Sequence, residues 1–159
     1  MSPPSLMDLN GQVHAYLDEL MLRHLEQLTA LDFAAAQATW QQIKQILSAH
    51  SDAEDTTALP FYEQIGEFPE GGKPLLFAAE HQGLHKMVEL LSEDFSRLSP
   101  DDPQARRQMV LTLDRYVRFR HLFEHHTLRE QNLLYPLLES RTDAPAQAAI
   151  RDALQKAFQ

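Results

Sequence analysis

The chain has 159 residues and no cysteine. Disulfides, thiolate zinc sites, iron–sulfur clusters and thiol catalysis are excluded together. Glycine is scarce, five residues in all, while apolar residues make up 43%. That balance favours long helices over a turn-rich all-β fold. Positive charge is also short: 14 Lys and Arg face 23 Asp and Glu, a net charge of −9. Nucleic acid and anionic lipid surfaces are therefore disfavoured as main partners. No apolar stretch reaches the length of a membrane span. The start, Met1-Ser2-Pro3-Pro4-Ser5, lacks the basic-then-apolar pattern of a signal peptide. The expectation is a soluble cytoplasmic protein with one domain over residues 1–159.

What is abundant is histidine, eight residues. Their spacing is informative. His126-Thr-Leu-Arg-Glu130 is followed by Pro136, and His50-Ser-Asp-Ala-Glu54 by Pro60, with identical intervals. A histidine and a carboxylate at i and i+4 share one helix face, one turn apart.

Four apolar stripes at helical spacing carry these residues. The first, from about residue 8 to 30, runs Met7, Asn10, His14, Leu17, Met21, His24, Leu28 and Leu31. Asp32 suits an N-cap, and the second stripe comes after it: Phe33, Ala36, Trp40, Ile43, Leu47, His50 and Glu54. Pro60 is expected to interrupt this helix, and Gly66 to end the short segment beyond the proline. Residues 67–73 read as a loop, with Pro74 as a first helical residue. The third stripe is Phe77, His81, Leu84, Val88, Leu91, Phe95 and Leu98. After a turn at Ser99-Pro100-Asp101-Asp102-Pro103, the fourth runs Met109, Thr112, Tyr116, Phe119, Phe123, His126, Glu130, Leu133 and Leu137. A short fifth helix, about 144–158, carries Ile150, Leu154 and Phe158 and lies against the others or serves a homodimer contact. The expected fold is all-α, an antiparallel up-down four-helix bundle over about 8–140 with this short C-terminal helix.

In an antiparallel hairpin, residues equidistant from the turn stand at one height. His14 lies 18 residues before Asp32 and His50 lies 18 after it, so the two are level. His24 falls instead beside Trp40, about 15 Å away, as an ordinary histidine with a local hydrogen bond. In the second hairpin His81 lies 20 residues before Asp101 and His126 lies 25 after it, a mismatch for the turn to absorb. His85, one residue off the stripe, is either an added ligand or a bystander. His125 shares a face with Arg118 and Leu122, whereas His126 shares one with Phe119 and Phe123. The inward position goes to His126. His121 and His125 belong to the flank.

One inward histidine is commonly a satisfied core residue. Four, on four stripes, with two paired to glutamates, point to a metal, because an ionised carboxylate in a core is costly unless paired or coordinated. Imidazole with carboxylate suits iron, manganese or zinc. The ligand set is His14, His50, Glu54, His81, His126 and Glu130, more than one ion needs. Two ions bridged by Glu54 and Glu130 would leave positions for water or a small ligand. No residue is assigned a catalytic role.

At these residues the chain resembles the hemerythrin-like (HHE cation-binding) family. The shared pattern is His on helix 1, His-x3-Glu on helix 2, Glu80-His81 with Leu84 on helix 3, and His-x3-Glu before Leu-Tyr-Pro on helix 4. The resemblance implies a non-haem, carboxylate-bridged pair of iron ions that binds or reacts with O2, or handles iron or nitric oxide. Hemerythrins proper carry a His-x3-His pair on the third helix, which His81 and His85 would supply. Their last His and carboxylate stand one residue further apart, a spacing that fits His125 and Glu130. Binding or sensing O2 ranks above a ferritin-like iron enzyme, whose Glu-x-x-His pairs are missing. It also ranks above a histidine phosphotransfer bundle, which needs an exposed acceptor histidine.

Overall fold

A computed structural model describes residues 3–158; Met1 and Ser2, part of the segment compared with a signal peptide, and Gln159 lie outside the described residues. Among the described residues every regular element is helical. There are five continuous helices: α1 (Leu6–Thr29), α2 (33–65), α3 (Pro74–Ser96), α4 (105–141) and α5 (Ala144–Ala157). None is long and apolar enough to cross a membrane.

The boundaries have local causes. The Ser5 side chain accepts from Asp8 N at 3.0 Å to start α1. Leu31, at φ 58°, turns the chain in the left-handed region. It leaves the inward stripe expected for it to Leu28, and Asp32 caps α2 by accepting from Ala35 N at 3.1 Å. Gly66, at φ 76°, closes α2. The 66–73 loop is held at Gly72 O by the Tyr62 hydroxyl, 2.8 Å away, and Pro74 opens α3. Asp143 caps α5 through Ala146 N at 2.9 Å.

Pro60 does not interrupt α2. Residues Glu54–Ala58 form a π turn, with Leu59 N–H donating to Glu54 O five residues back. Residues Glu130–Leu134 repeat it in α4, with Tyr135 N–H donating to Glu130 O. Each π turn absorbs one extra residue ahead of its proline, which has no N–H to give and crowds the carbonyl four residues back. The stripe consequently slips by one. Leu134 and Leu138 are buried, whereas the expected Leu133 and Leu137 are only partly covered. In α2 the inward residues below the turn are Leu59 and Tyr62.

The helices α1 and α2 pack side by side, as do α3 and α4, and α5 lies against α1 and α2. Ile150 and Leu154 of α5 are buried, but Phe158 is 41% exposed, its ring resting on Tyr16. In the second hairpin Asp94 meets Arg115 and Glu80 meets Arg129. These pairs share a midpoint near Gln104, not Asp101, so the mismatch between His81 and His126 came from the wrong pivot. The apolar interior falls into two clusters. One holds Leu17, Met21, Trp40, Leu47, Leu84, Leu91, Tyr116 and Phe123 among others. The second holds Leu6, Leu59, Tyr62, Phe77, Leu134, Tyr135, Leu138 and Ile150. The six candidate ligands lie between the two.

His24 sits within the first cluster, fully buried, against the Trp40 ring. Its Nδ1 lies 2.9 Å from Ala36 O and its Nε2 lies 3.0 Å from the Tyr116 hydroxyl. Both nitrogens are satisfied by a neutral ring, so Nδ1–H donates and Nε2 accepts. Burial pushes this imidazole down from 6.5 to about 4, outweighing the carbonyl that favours its charged form. Below pH 6.5 the unfolded chain therefore takes up a proton that the folded chain refuses, and stability falls with pH. Urea denaturation of the metal-free chain at pH 7 and pH 4 is expected to show this in comparison with His24→Gln. The variant should lose about 3 kcal/mol less than the parent over that interval. Parallel losses would mean that His24 titrates normally.

Candidate metal centre

The four long helices all contribute to one buried polar layer. The chain brings His14 from α1, His50 and Glu54 from α2, His81 from α3, and His126 and Glu130 from α4 together, each at most 3% exposed. Their atoms fall into two groups that each fit a cation. One is Glu54, His81, His126 and Glu130; the second is His14, His50 and Glu130, and within each group the offered atoms lie within 4.8 Å of one another.

Glu130 belongs to both. Its Oε1 lies 3.0 Å from His126 Nε2 and 3.4 Å from His81 Nε2, while Oε2 lies 3.4 Å from His14 Nε2. One oxygen thus faces His81 and His126, and the other faces His14. Glu54 is arranged differently. Its Oε2 faces both His81 Nε2, at 3.2 Å, and His50 Nε2, at 3.5 Å, while Oε1 accepts from the Tyr135 hydroxyl at 2.5 Å. His14 Nε2 and His50 Nε2 are 3.2 Å apart, as their equal distance from Asp32 requires.

These separations match ligands around an ion better than partners of one another. Ligand atoms at about 2.1 Å from a common ion stand about 3.0–3.4 Å apart in octahedral or tetrahedral arrangement. Several of the atoms also lack a hydrogen bond: Glu54 Oε2, His81 Nε2 and Glu130 Oε1 are buried with no partner of suitable geometry. Buried polar atoms are rarely left so, and here they converge. The donor set fits a first-row divalent ion, with imidazole and carboxylate ligands and no thiolate.

A surrounding set of residues orients the layer. His81 Nδ1–H donates to Asp55 Oδ1 at 2.7 Å, and His126 Nδ1–H donates to Glu80 Oε2 at 3.2 Å. Glu80 is in turn gripped by Arg129 Nε at 2.6 Å, and Arg129 Nη1 donates to Gly71 O at 2.7 Å. Asn10 Nδ2 donates to Glu130 Oε2 at 3.1 Å. By contrast, Nδ1 of His14 and Nδ1 of His50 have no protein partner. Carboxylates behind an imidazole fix its tautomer and raise its basicity, so the His81–His126 side is the better donor pair.

The electrostatics repeat this asymmetry. Burial drives His14 and His50 down to about 4, so both rings are neutral near pH 7 and ready to coordinate. Burial acts the same way on His81 and His126 but is outweighed. Asp55, Glu130 and Glu54 lift His81 to about 12, and Glu130 with Glu80 lifts His126 to about 9. Glu130 is held well below the carboxylate range because His126, His81 and His14 overcome its burial. Tyr135 is pushed well above 10 by burial and by Glu54 and Glu130, so its phenol keeps its proton and donates. Without a cation, two imidazolium protons supply the positive charge of the layer.

The remaining histidines stand elsewhere. His85 is half-buried and outside both groups, and His121 and His125 are exposed on α4. His126, not His125, enters the layer. Sequence reasoning placed Asn10 on a stripe and quoted Glu80 and Tyr135 in a pattern, but gave none of them a role, and it passed over Asp55. Glu80 and Asp55 each adjoin an inward ligand in sequence, the one signal available for them. No protein-family model and no curated protein matches the chain.

Ligation requires Nε2 without its proton. Adding a divalent ion near pH 7 is expected to release about two protons per chain, those of His81 and His126. Calorimetry in buffers of different ionisation enthalpy reads this number directly, and metal uptake without proton release would contradict it. His126→Ala should lower the metal content per chain and His125→Ala should leave it unchanged.

Proposed function

We propose that the four long helices form an antiparallel up-down four-helix bundle of hemerythrin-like type, and that the polar layer holds a non-haem pair of iron ions to bind or sense O2 or a related small ligand. The observation that carries this reading is Glu130, whose Oε1 faces His81 and His126 while its Oε2 faces His14. A carboxylate so placed could serve two ions at once.

His81, His126, Glu54 and Glu130 would hold one ion, and His14, His50 and Glu130 the second. An iron pair supplies reversible redox change and coordination of a small ligand. The chain supplies the rest. Its imidazoles and carboxylates set the charge of the centre, and Asp55 and Glu80 lock the rings of His81 and His126. Tyr135 and Asn10 fix the carboxylates by one hydrogen bond each. The apolar clusters cover the layer on two sides. An ion held by His14, His50 and Glu130 would have fewer protein ligands than one held by His81, His126, Glu54 and Glu130, and so would be the one to take an exogenous ligand. Manganese and zinc suit the same donors.

A redox enzyme or an iron-handling or nitric-oxide-responsive protein is the alternative. It is favoured by Tyr135, a buried oxidisable phenol bonded directly to Glu54.

Anaerobic loading with Fe(II), followed by metal analysis and visible spectra before and after air, decides between them. Two irons per chain, with absorption that appears in oxygen and vanishes on its removal, is the expected result. Irreversible oxidation would favour the alternative. A chain that takes up no iron would remove the reading.

A further inference from the structure

A groove of about 540 Å³ runs between α1 and α4 and reaches the edge of the polar layer at Asn10 and His14. That volume lies in the range of small-molecule sites. A diatomic ligand would fill little of it.

Its walls and inner end differ in character. Gly11 and Ala15 of α1 and Val117 and Phe123 of α4 supply its apolar lining, with Phe123 beside His14 and Val117 farther out, past the level of Asp18 and Arg120. At its inner end stand Asn10 and Thr127. Asn10 is 2% exposed and gives its Nδ2 to Glu130, which leaves Oδ1 buried without a partner. Thr127 Oγ1 is likewise buried and unpartnered. Both atoms accept hydrogen bonds. At the rim Arg120 pairs with Asp18 at 3.5 Å, and His121 lies 3.8 Å from Glu124.

Gly11 gives an independent indication. Glycine inside a helix costs up to about 1 kcal/mol relative to alanine. No contact demands it at this position, since an added Cβ would meet nothing within 4 Å. Its effect is to widen the groove.

We infer that this groove binds a small uncharged organic molecule, its apolar body along Gly11, Ala15 and Phe123 and an O–H or N–H group donating to Asn10 and Thr127. The molecule would lie beside His14, so its bearing on the metal rests on the proposed iron centre, while its binding does not.

Benzyl alcohol is a suitable probe, followed by amide NMR of the full chain, both metal-free and loaded with zinc. Saturable shifts are expected at Gly11, Ala15 and Thr127. Gly11→Leu, which projects into the open groove, should weaken binding at least tenfold while its zinc stoichiometry matches the parent. Thr127→Val should weaken it severalfold, and benzyl methyl ether, which has no donor, should bind the parent as weakly. Absence of saturable shifts in the groove, or equal binding by Gly11→Leu, would overturn the inference. Equal binding of the alcohol and the ether would overturn the donor assignment. A chain that takes up no zinc would count against the metal reading alone, because the metal-free titration still decides this one.

Discussion

Two carboxylates, Glu54 and Glu130, are fully buried between two apolar clusters, and the rest of the arrangement answers to that. An uncompensated buried charge costs several kcal/mol even after relaxation. Four imidazoles, an amide and a phenol surround the pair. Outside them Asp55 and Glu80 accept from the imidazoles of His81 and His126, and Arg129 holds Glu80. The layer is thus satisfied in two ways, by protons on His81 and His126 or by cations in their place. The first leaves atoms pointing at empty centres; the second uses them.

The long-range part of this layout is carried by the spacing of residues along the chain. Periodicity in α1 and α2 places His14 and His50 level about Asp32 because the connection is tight and its cap sits at the pivot. Inward facing separates His126 from His125 because Phe119 and Phe123 lie below one and Arg118 below the other. The second hairpin resisted the same reasoning: its longer connection moves the pivot to Gln104, and nothing local in the sequence announces this. The π turns were also invisible to a strict three-four count. Proline signals trouble for a helix, but whether the helix breaks or takes in an extra residue is settled by packing on both sides. Here Tyr62 and Tyr135 are fully buried below the turns, and their packing holds the helices continuous.

The surrounding residues were the least legible. Asp55 is two-fifths exposed and sits beside a ligand whose own position explains the stripe, so periodicity assigns it to the surface. Its contact with His81 crosses between helices. The same holds for Glu80 with His126 and for Asn10 with Glu130. Such contacts depend on how neighbouring helices are rotated, which a pattern along one chain does not encode. They matter because they make the two halves of the layer unequal: the imidazoles of α3 and α4 are backed by carboxylates, and those of α1 and α2 are not.

The division of the apolar interior has a consequence for cooperativity. A single core couples all of its helices through continuous packing, and the domain then opens as one unit. Here a charged layer crosses the interior, and the segments beyond it turn on two widened helical turns. That plane is a seam between the two apolar clusters, and local opening follows such breaks in apolar packing. A cation bound by ligands from all four helices would stitch the seam, so that occupancy of the centre sets whether the chain unfolds as one body or as two.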